Sequence, residues 1–536
     1  MFSQLIQNLI DDTLDYSLGY FEAELWLCGT IVALLLFRLL SMDRVIPTSI
    51  LALAGAVAAT VAAWFQLTVT DGSQTFFTGM LIHDQFSVYF RLFLSLFLAL
   101  TIVLTILTGI PDNEDSPDFY TLLLGATIGM MIMASANNLL MLFIGVEMAS
   151  VPSYAMVGFL KGRRSSSEAA LKYVVYGAGA AGVMLYGVSL IVGILGTGDM
   201  GLLADRLRIV AENGMAGLGD PDVRLVALGT MLIMVGLAFK LSLVPFHFWC
   251  PDAFEGASAE VGGFLSVASK AGAFALLVRF SVALSGDPSG AELMTAFGIG
   301  LGVVAIGTMT FGNLAAYGQS NIKRMLAYST IAHAGYMLMA VSAMLVMQNS
   351  SQAGALGQEI NACLGGLLYY LAVYLFMNLG AFAVVALIRN YTFSEEIDSY
   401  AGLIRQSPAL CVCMVFCMIS LVGIPPFGGF FAKLMIFGSV YKAGDLHWSM
   451  YVLLAAGIVN TVISLFYYLR VLKTMIIDER PADARAVTLP NLENIYIGLL
   501  GAFVLLLGCA PIIADGLSVI AGEAAGSIFS AIVASP

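Results

Sequence analysis

The stretch Leu421–Met435, "LVGIPPFGGFFAKLM", decides the fold. It lies inside a mostly apolar run from 408 to 441, yet holds Pro425 and Pro426 side by side, glycines after them and then Lys433. Proline removes a backbone donor and its ring displaces the carbonyl four residues back. A helix here is broken, and a lysine sits beside the break in apolar surroundings. A second case stands at 235–249, "VGLAFKLSLVPFHFW", where Pro245 follows Lys240. The carbonyl freed there is that of Leu241, and it needs water or a cation nearby.

Outward from these breaks the composition sets the class. The 536 residues are 60% hydrophobic and 11% charged, where soluble domains carry about a quarter charged residues. A spanning helix needs about 20 apolar residues. Fourteen such runs lie near 24–41, 46–69, 86–110, 118–136, 138–160, 168–196, 223–249, 260–285, 291–312, 322–347, 361–389, 408–441, 448–475 and 493–521. The fold class is an all-α polytopic membrane protein with about 14 transmembrane helices. Residues 1–25 lack a basic n-region and a small-residue cleavage site, so they read as a short surface helix and not a signal peptide.

The basic residues orient the chain. With both termini outside, the inner loops carry Arg38, Arg44, Lys161, Arg163, Arg164, Lys323, Arg324, Arg389, Arg405, Arg470, Lys473, Arg480 and Arg485. The outer loops carry only Arg206, Arg208, Arg224 and Lys442. The net charge of −12 argues against a nucleic-acid partner.

The middle of the chain divides into two units of five helices, spans 4–8 over 118–286 and spans 9–13 over 287–476. Residues 1–117 hold spans 1–3, and 477–536 hold a polar linker and span 14. The fourth helix of each unit, span 7 and span 12, is the broken one. Five is odd, so consecutive units enter the membrane from opposite sides, an inverted repeat as in ion-coupled transporters.

Ionisable groups inside the spans need a reason. A lysine at a helix centre costs about 2.5–3.5 kcal/mol on insertion. Arg91 and Arg279 stand near span ends and are expected to snorkel to the interface. Lys172 follows Glu168 by four residues, the spacing of a helical ion pair. Glu147, Lys240, Lys270 and Lys433 are too deep for either account, and intramembrane ionisable groups mark proton or ion paths. His333 is mid-span and its chemistry suits a relay. His247 is placed near the surface at the end of span 7, and His83 and His447 fall in loops.

Other patterns lead nowhere. "GAGAAG" at 177–182 matches a dinucleotide fingerprint, but it lies within an apolar run without a preceding strand and reads as helix packing. No phosphate-binding GxxxxGK[ST] occurs, and no Cys or His set has metal-ligand spacing. The seven cysteines and 27 methionines read as packing residues, and nothing indicates a redox centre.

"MLFIGVEMASVPSYAMVGF", "SSEAALKYVVYG", "FKLSLVPFHFWCPDAFEGA", "SNIKRMLAYSTIAHAGYML", "YLFMNLGAFAV" and "SLVGIPPFGGFFAKLMIF" together resemble the antiporter-like membrane subunits of proton-pumping NADH:quinone oxidoreductase, complex I. The resemblance runs from about 86 to 475. Some of these motifs also occur in the sister subunits L and M and in Mrp-type sodium/proton antiporters. "MNLGAF" and the double-proline segment with Lys433 point to the subunit N type.

The resemblance implies that Glu147 pairs with Lys240, that Lys270 is the central relay, that Lys433 gates the outer side, and that His333 lines a hydrated axis. It implies no cofactor in this chain, with FMN, iron–sulfur clusters and quinone in partner subunits. It implies other membrane-arm subunits as partners and a bacterial inner membrane, or an energy-transducing organelle membrane, as the location. Rival readings are an Mrp-type sodium/proton antiporter, the equivalent subunit of a ferredoxin- or hydrogenase-linked complex, and a structural subunit in which methionine or leucine could replace the lysines.

Overall fold

The computed structural model describes residues 7, 9–42, 46–70, 72–111, 115–213, 220–285, 291–481 and 485–533. Arg44, counted above among the inner basic residues, lies outside them. The helices are α1 (Glu22–Leu39), α2 (Thr48–Val69), α3 (Gln85–Thr108), α4 (Ser116–Ser135), α5 (Leu139–Val157), α6 (Arg164–Leu195), the short α7 (Leu203–Asn213), α8 (Pro221–Leu241), α9 (Trp249–Gly256), α10 (Ala259–Ala283), α11 (Ala291–Tyr317), α12 (Ile322–Gln348), α13 (Gly357–Thr392), α14 (Pro408–Val422), α15 (Gly428–Gly444), α16 (Ser449–Ile476), α17 (Asn491–Cys509) and α18 (Pro511–Val533). Among the described residues, 13 helices are long and apolar enough to cross a membrane, or up to 15 when bent pairs are included. A two-stranded hairpin, β1 (Gln74–Phe76) and β2 (Leu81–His83), pairs Thr75 with Ile82 and is the exception to an all-helical chain.

Two runs differ in detail from the sequence reading. Residues Leu9–Tyr20 form the expected short helical segment, turned 97° from α1. The last run, 493–521, is two helices. Ala510 is extended between them because Pro511 disfavours a helical residue before it.

Both breaks fall where the prolines demand. α8 ends at Leu241, and Ser242 turns the chain with a left-handed φ of 58°. α14 ends at Val422, and Gly423 does the same at φ 87°. Glycine adopts that conformation without a Cβ penalty. A second glycine permits close approach: a Cβ on Gly429 would lie 1.9 Å from the Ser420 carbonyl oxygen. Gly429→Ala therefore forces α15 away from α14, and we expect the amount of assembled protein in native gels to fall sharply. Wild-type amounts would mean that the two half-helices tolerate separation.

The centre of the molecule is α10, every residue of which from Ala259 to Ala283 is buried. α12 and α13 pack on it and on each other. Outer helices keep apolar faces exposed, as with Val57, Val61 and Phe65 on α2 and Ile458, Val462 and Phe466 on α16. A helix surrounded by protein can hold polar groups among partners, whereas a lipid-facing one cannot. That contrast explains why the relay candidates cluster on the inner helices.

Candidate functional site

The freed carbonyls of both breaks carry lysines. Lys270, on α10, donates from Nζ to the Leu241 carbonyl oxygen at 2.8 Å. Leu241 is the last residue of α8 and the one that Pro245 exposes. Lys433, on α15, donates to the carbonyls of Leu421 at 3.1 Å and Val422 at 2.9 Å, the last residues of α14. An ammonium at a helix C-terminus meets the negative end of the helix dipole and the carbonyls that lack intrahelical donors. The two breaks thus solve one problem in the same way, one with a lysine on α10 and the other with a lysine on α15. Lys433 also lies over the Tyr336 ring, 4.3 Å from its centroid.

Between these lysines stands His333 on α12. Its Nδ1 is 2.7 Å from the Tyr370 hydroxyl and its Nε2 3.2 Å from the Tyr468 hydroxyl. Tyr468 in turn contacts the Ser329 hydroxyl. Both ring nitrogens face groups that can donate or accept, so this chain can reverse its polarity. Lys270 and Lys433 are both within Coulombic reach of the ring.

At the other end, Lys240 on α8 donates to Ser150 Oγ on α5 at 3.0 Å. Glu147 is half-buried, one turn before Ser150. It is within Coulombic reach of Lys240 but makes no ion-pair contact with it among the described residues. The structure thus brings Glu147 and Lys240 onto facing helices with Ser150 holding the ammonium.

The other charged residues correct the sequence reading in part. Arg91 does not snorkel: it is buried and pairs with Glu24 Oε1 at 2.7 Å, with His83 Nδ1 at 2.8 Å from the same guanidinium. Arg279 is buried too, making a double contact with Asp84 at 2.6 and 3.1 Å and a further bond to the Ala134 carbonyl. Their span ends are covered by α1, the hairpin and α4, so no interface is within reach. The His247 side chain is likewise covered, by Phe248 and Phe311, both of them exposed, so the segment lies near the surface as expected. Lys172 pairs with Glu168 at 2.9 Å as expected, and also with Asp252 at 2.8 Å.

Sequence reasoning missed the tyrosines. Tyr336, Tyr370 and Tyr468 are buried and supply hydroxyls or ring faces to the charged groups. Asn378 was missed as well. It donates to Ser266 Oγ at 2.6 Å and to the Tyr374 hydroxyl at 3.0 Å. A signal existed, since a hydroxyl or amide in the middle of an apolar span needs a partner.

The chain is similar to known proteins over most of its length. Residues 136–464 fit the family model described as NADH:quinone oxidoreductase/Mrp antiporter, TM. The NADH-quinone oxidoreductase subunit N of Anaeromyxobacter sp. (strain Fw109-5) is 37% identical over 509 residues, covering 92% of this chain and 94% of its own. The NAD(P)H-quinone oxidoreductase subunit 2 of Microcystis aeruginosa (strain NIES-843 / IAM M-2473) is 36% identical, covering 84% and 82%. A chain of respiratory complex I from Thermus thermophilus superposes with a TM-score of 0.71 at 29% identity, covering 92% of this chain and 98% of its own. A chain of the Mrp complex from Dietzia sp. DQ12-45-1b shares the fold, with a TM-score of 0.80 at 20% identity, covering 96% and 99%. The chain belongs to the NADH:quinone oxidoreductase/Mrp antiporter family of membrane subunits and stands with its subunit N members.

Proposed function

We propose that this chain is a proton-translocating membrane subunit of a respiratory NADH:quinone oxidoreductase. Protons move through it along Glu147, Lys240, Lys270, His333 and Lys433. One observation carries the reading: lysines cap the carbonyls of both broken helices, with the His333 hydroxyl chain between them. A lysine whose partner is a neutral carbonyl has no fixed counter-charge. It gains or loses its proton as nearby charges change.

Glu147 is the adjustable charge in this scheme. Closed onto Lys240, it holds the ammonium charged; parted from it, it lets the proton go. The proton then passes by water to Lys270, past His333 to Lys433, and out. The driving energy comes from electron transfer between NADH and quinone in partner subunits, which hold the FMN and iron–sulfur clusters. The two five-helix units, 118–286 and 287–476, are the halves between which the path runs. The protein resides in a bacterial inner membrane or its organelle equivalent, with both termini on the outer side.

Co-purification tests the assignment. The tagged chain is extracted in mild detergent and its companions identified by mass spectrometry. Flavin and iron–sulfur subunits in the same particle are expected. A set of small membrane proteins with no redox subunit would overturn the reading in favour of a sodium/proton antiporter.

A further inference from the structure

One buried carboxylate has no part in this path. Glu260 lies in the first turn of α10 and is 1% exposed. Its Oε2 is buried with no hydrogen-bond partner. α10 is also the helix of Lys270, so the two acid–base groups share one element, ten residues and about 15 Å of rise apart.

Glu260 has a charged neighbourhood at its end of α10. Lys323, on α12, donates to the Ala257 carbonyl at 2.6 Å and pairs with Glu395 at 2.9 Å. Arg389, on α13, pairs with the same Glu395 at 3.1 Å. Glu260 is within Coulombic reach of Lys323. Lys323 is buried, whereas the Glu395 side chain is 16% exposed.

Between Glu260 and Lys270 the helix carries two serines, Ser266 and Ser269, among apolar residues. Ser266 sits one turn before Lys270 on the same face. It receives the Asn378 amide, whose own Oδ1 is buried without a partner. Ser269 Oγ, on another face of the helix, is also without a partner. Buried polar atoms are almost always hydrogen-bonded, to protein or to ordered water. The orphaned atoms of Glu260 and Asn378 are therefore places where ordered water binds.

We infer that Glu260 is a proton-loading group: it takes up a proton at the Glu395–Lys323 pair and delivers it through water held by Asn378 to Lys270. The step balances simply. The Glu260 carboxylate accepts a proton and becomes the acid. The acid then returns the proton to a neutral Lys270 amine, which becomes the ammonium on the Leu241 carbonyl. This inference rests on the relay reading of Lys270.

The test uses the intact complex in sealed vesicles, with NADH as donor and quinone as acceptor. The variants are Glu260→Gln, Glu260→Asp and Lys270→Ala. Glu260→Gln should slow quinone-coupled pumping about a hundredfold or more, as loss of a general acid–base group does. Electron transfer from NADH to an artificial acceptor should not change. Glu260→Asp should recover most of the pumping, with a larger solvent deuterium isotope effect because uptake now limits the rate. Wild-type pumping by Glu260→Gln while Lys270→Ala is blocked would overturn this inference alone. Wild-type pumping by both would overturn the relay itself. Should Glu260→Gln fail to assemble, the isotope effect of Glu260→Asp decides: a raised effect supports uptake through Glu260, and an unchanged one overturns it.

Discussion

Lys270→Ala is expected to stop quinone-coupled proton pumping by the assembled complex while leaving electron transfer from NADH to an artificial acceptor intact. The reason lies in the position of the group. Lys270 is the cation on the Leu241 carbonyl, at the break of α8, and sits on the helix buried along its whole length. Solvent cannot bypass it from the side. Alanine removes the proton carrier, a loss of about the hundred- to ten-thousandfold that general acid–base groups contribute. It also leaves the Leu241 carbonyl without its donor, at a cost of about 1–3 kcal/mol. That cost is small beside the stability of so large a core, so the subunit should still assemble. Pumping is measured by quenching of a pH-sensitive dye in vesicles. Full coupled pumping by the variant would remove Lys270 from the path.

Asp84→Ala carries the largest expected effect on stability. Asp84 is fully buried, accepts both Arg279 amino groups and caps α3 through the Ser87 backbone amide at 2.8 Å. Removing it strands a guanidinium in the protein interior, which costs about 3–5 kcal/mol. Losing the cap adds about 1 kcal/mol. The bond joins α10 to the start of α3, so the loss should detach residues 1–117 from the central helices. We expect little assembled subunit and a markedly lower melting temperature in detergent. Replacing Asp84 and Arg279 together by apolar residues should recover much of the loss, since no charge is then stranded. An unchanged melting temperature for Asp84→Ala would mean that water already screens Arg279.

How far the sequence could be read follows from the range of each interaction. The breaks were legible because proline acts on its own helix: Pro245 points to the Leu241 carbonyl, and that carbonyl holds a lysine. Which lysine it holds was not legible. Lys240 is nearer in the chain, but its side chain reaches Ser150 instead, across to α5. The partners of Arg91 and Arg279 were hidden for the same reason. Glu24 and Asp84 lie 67 and 195 residues away and look like ordinary loop or helix-start acids. Glu260 was visible in "SAEVGGFLSVASK", yet an acid in a first turn normally needs no more explanation than the helix dipole. Only burial and an unpartnered oxygen separate it from that ordinary role. The tyrosines of "GGLLYYLAVYLFMNLG" could have been singled out, because each hydroxyl in an apolar span demands a partner.

The most direct test of the proton path replaces Lys240, Lys270 and Lys433 together by methionine, which keeps much of the side-chain length and none of the charge. The complex is reconstituted into vesicles, and proton uptake is measured per NADH oxidised. The proposed path predicts an assembled particle that passes electrons to an artificial acceptor at the wild-type rate and does not pump with quinone. Wild-type pumping by that particle would show that protons do not cross by these lysines.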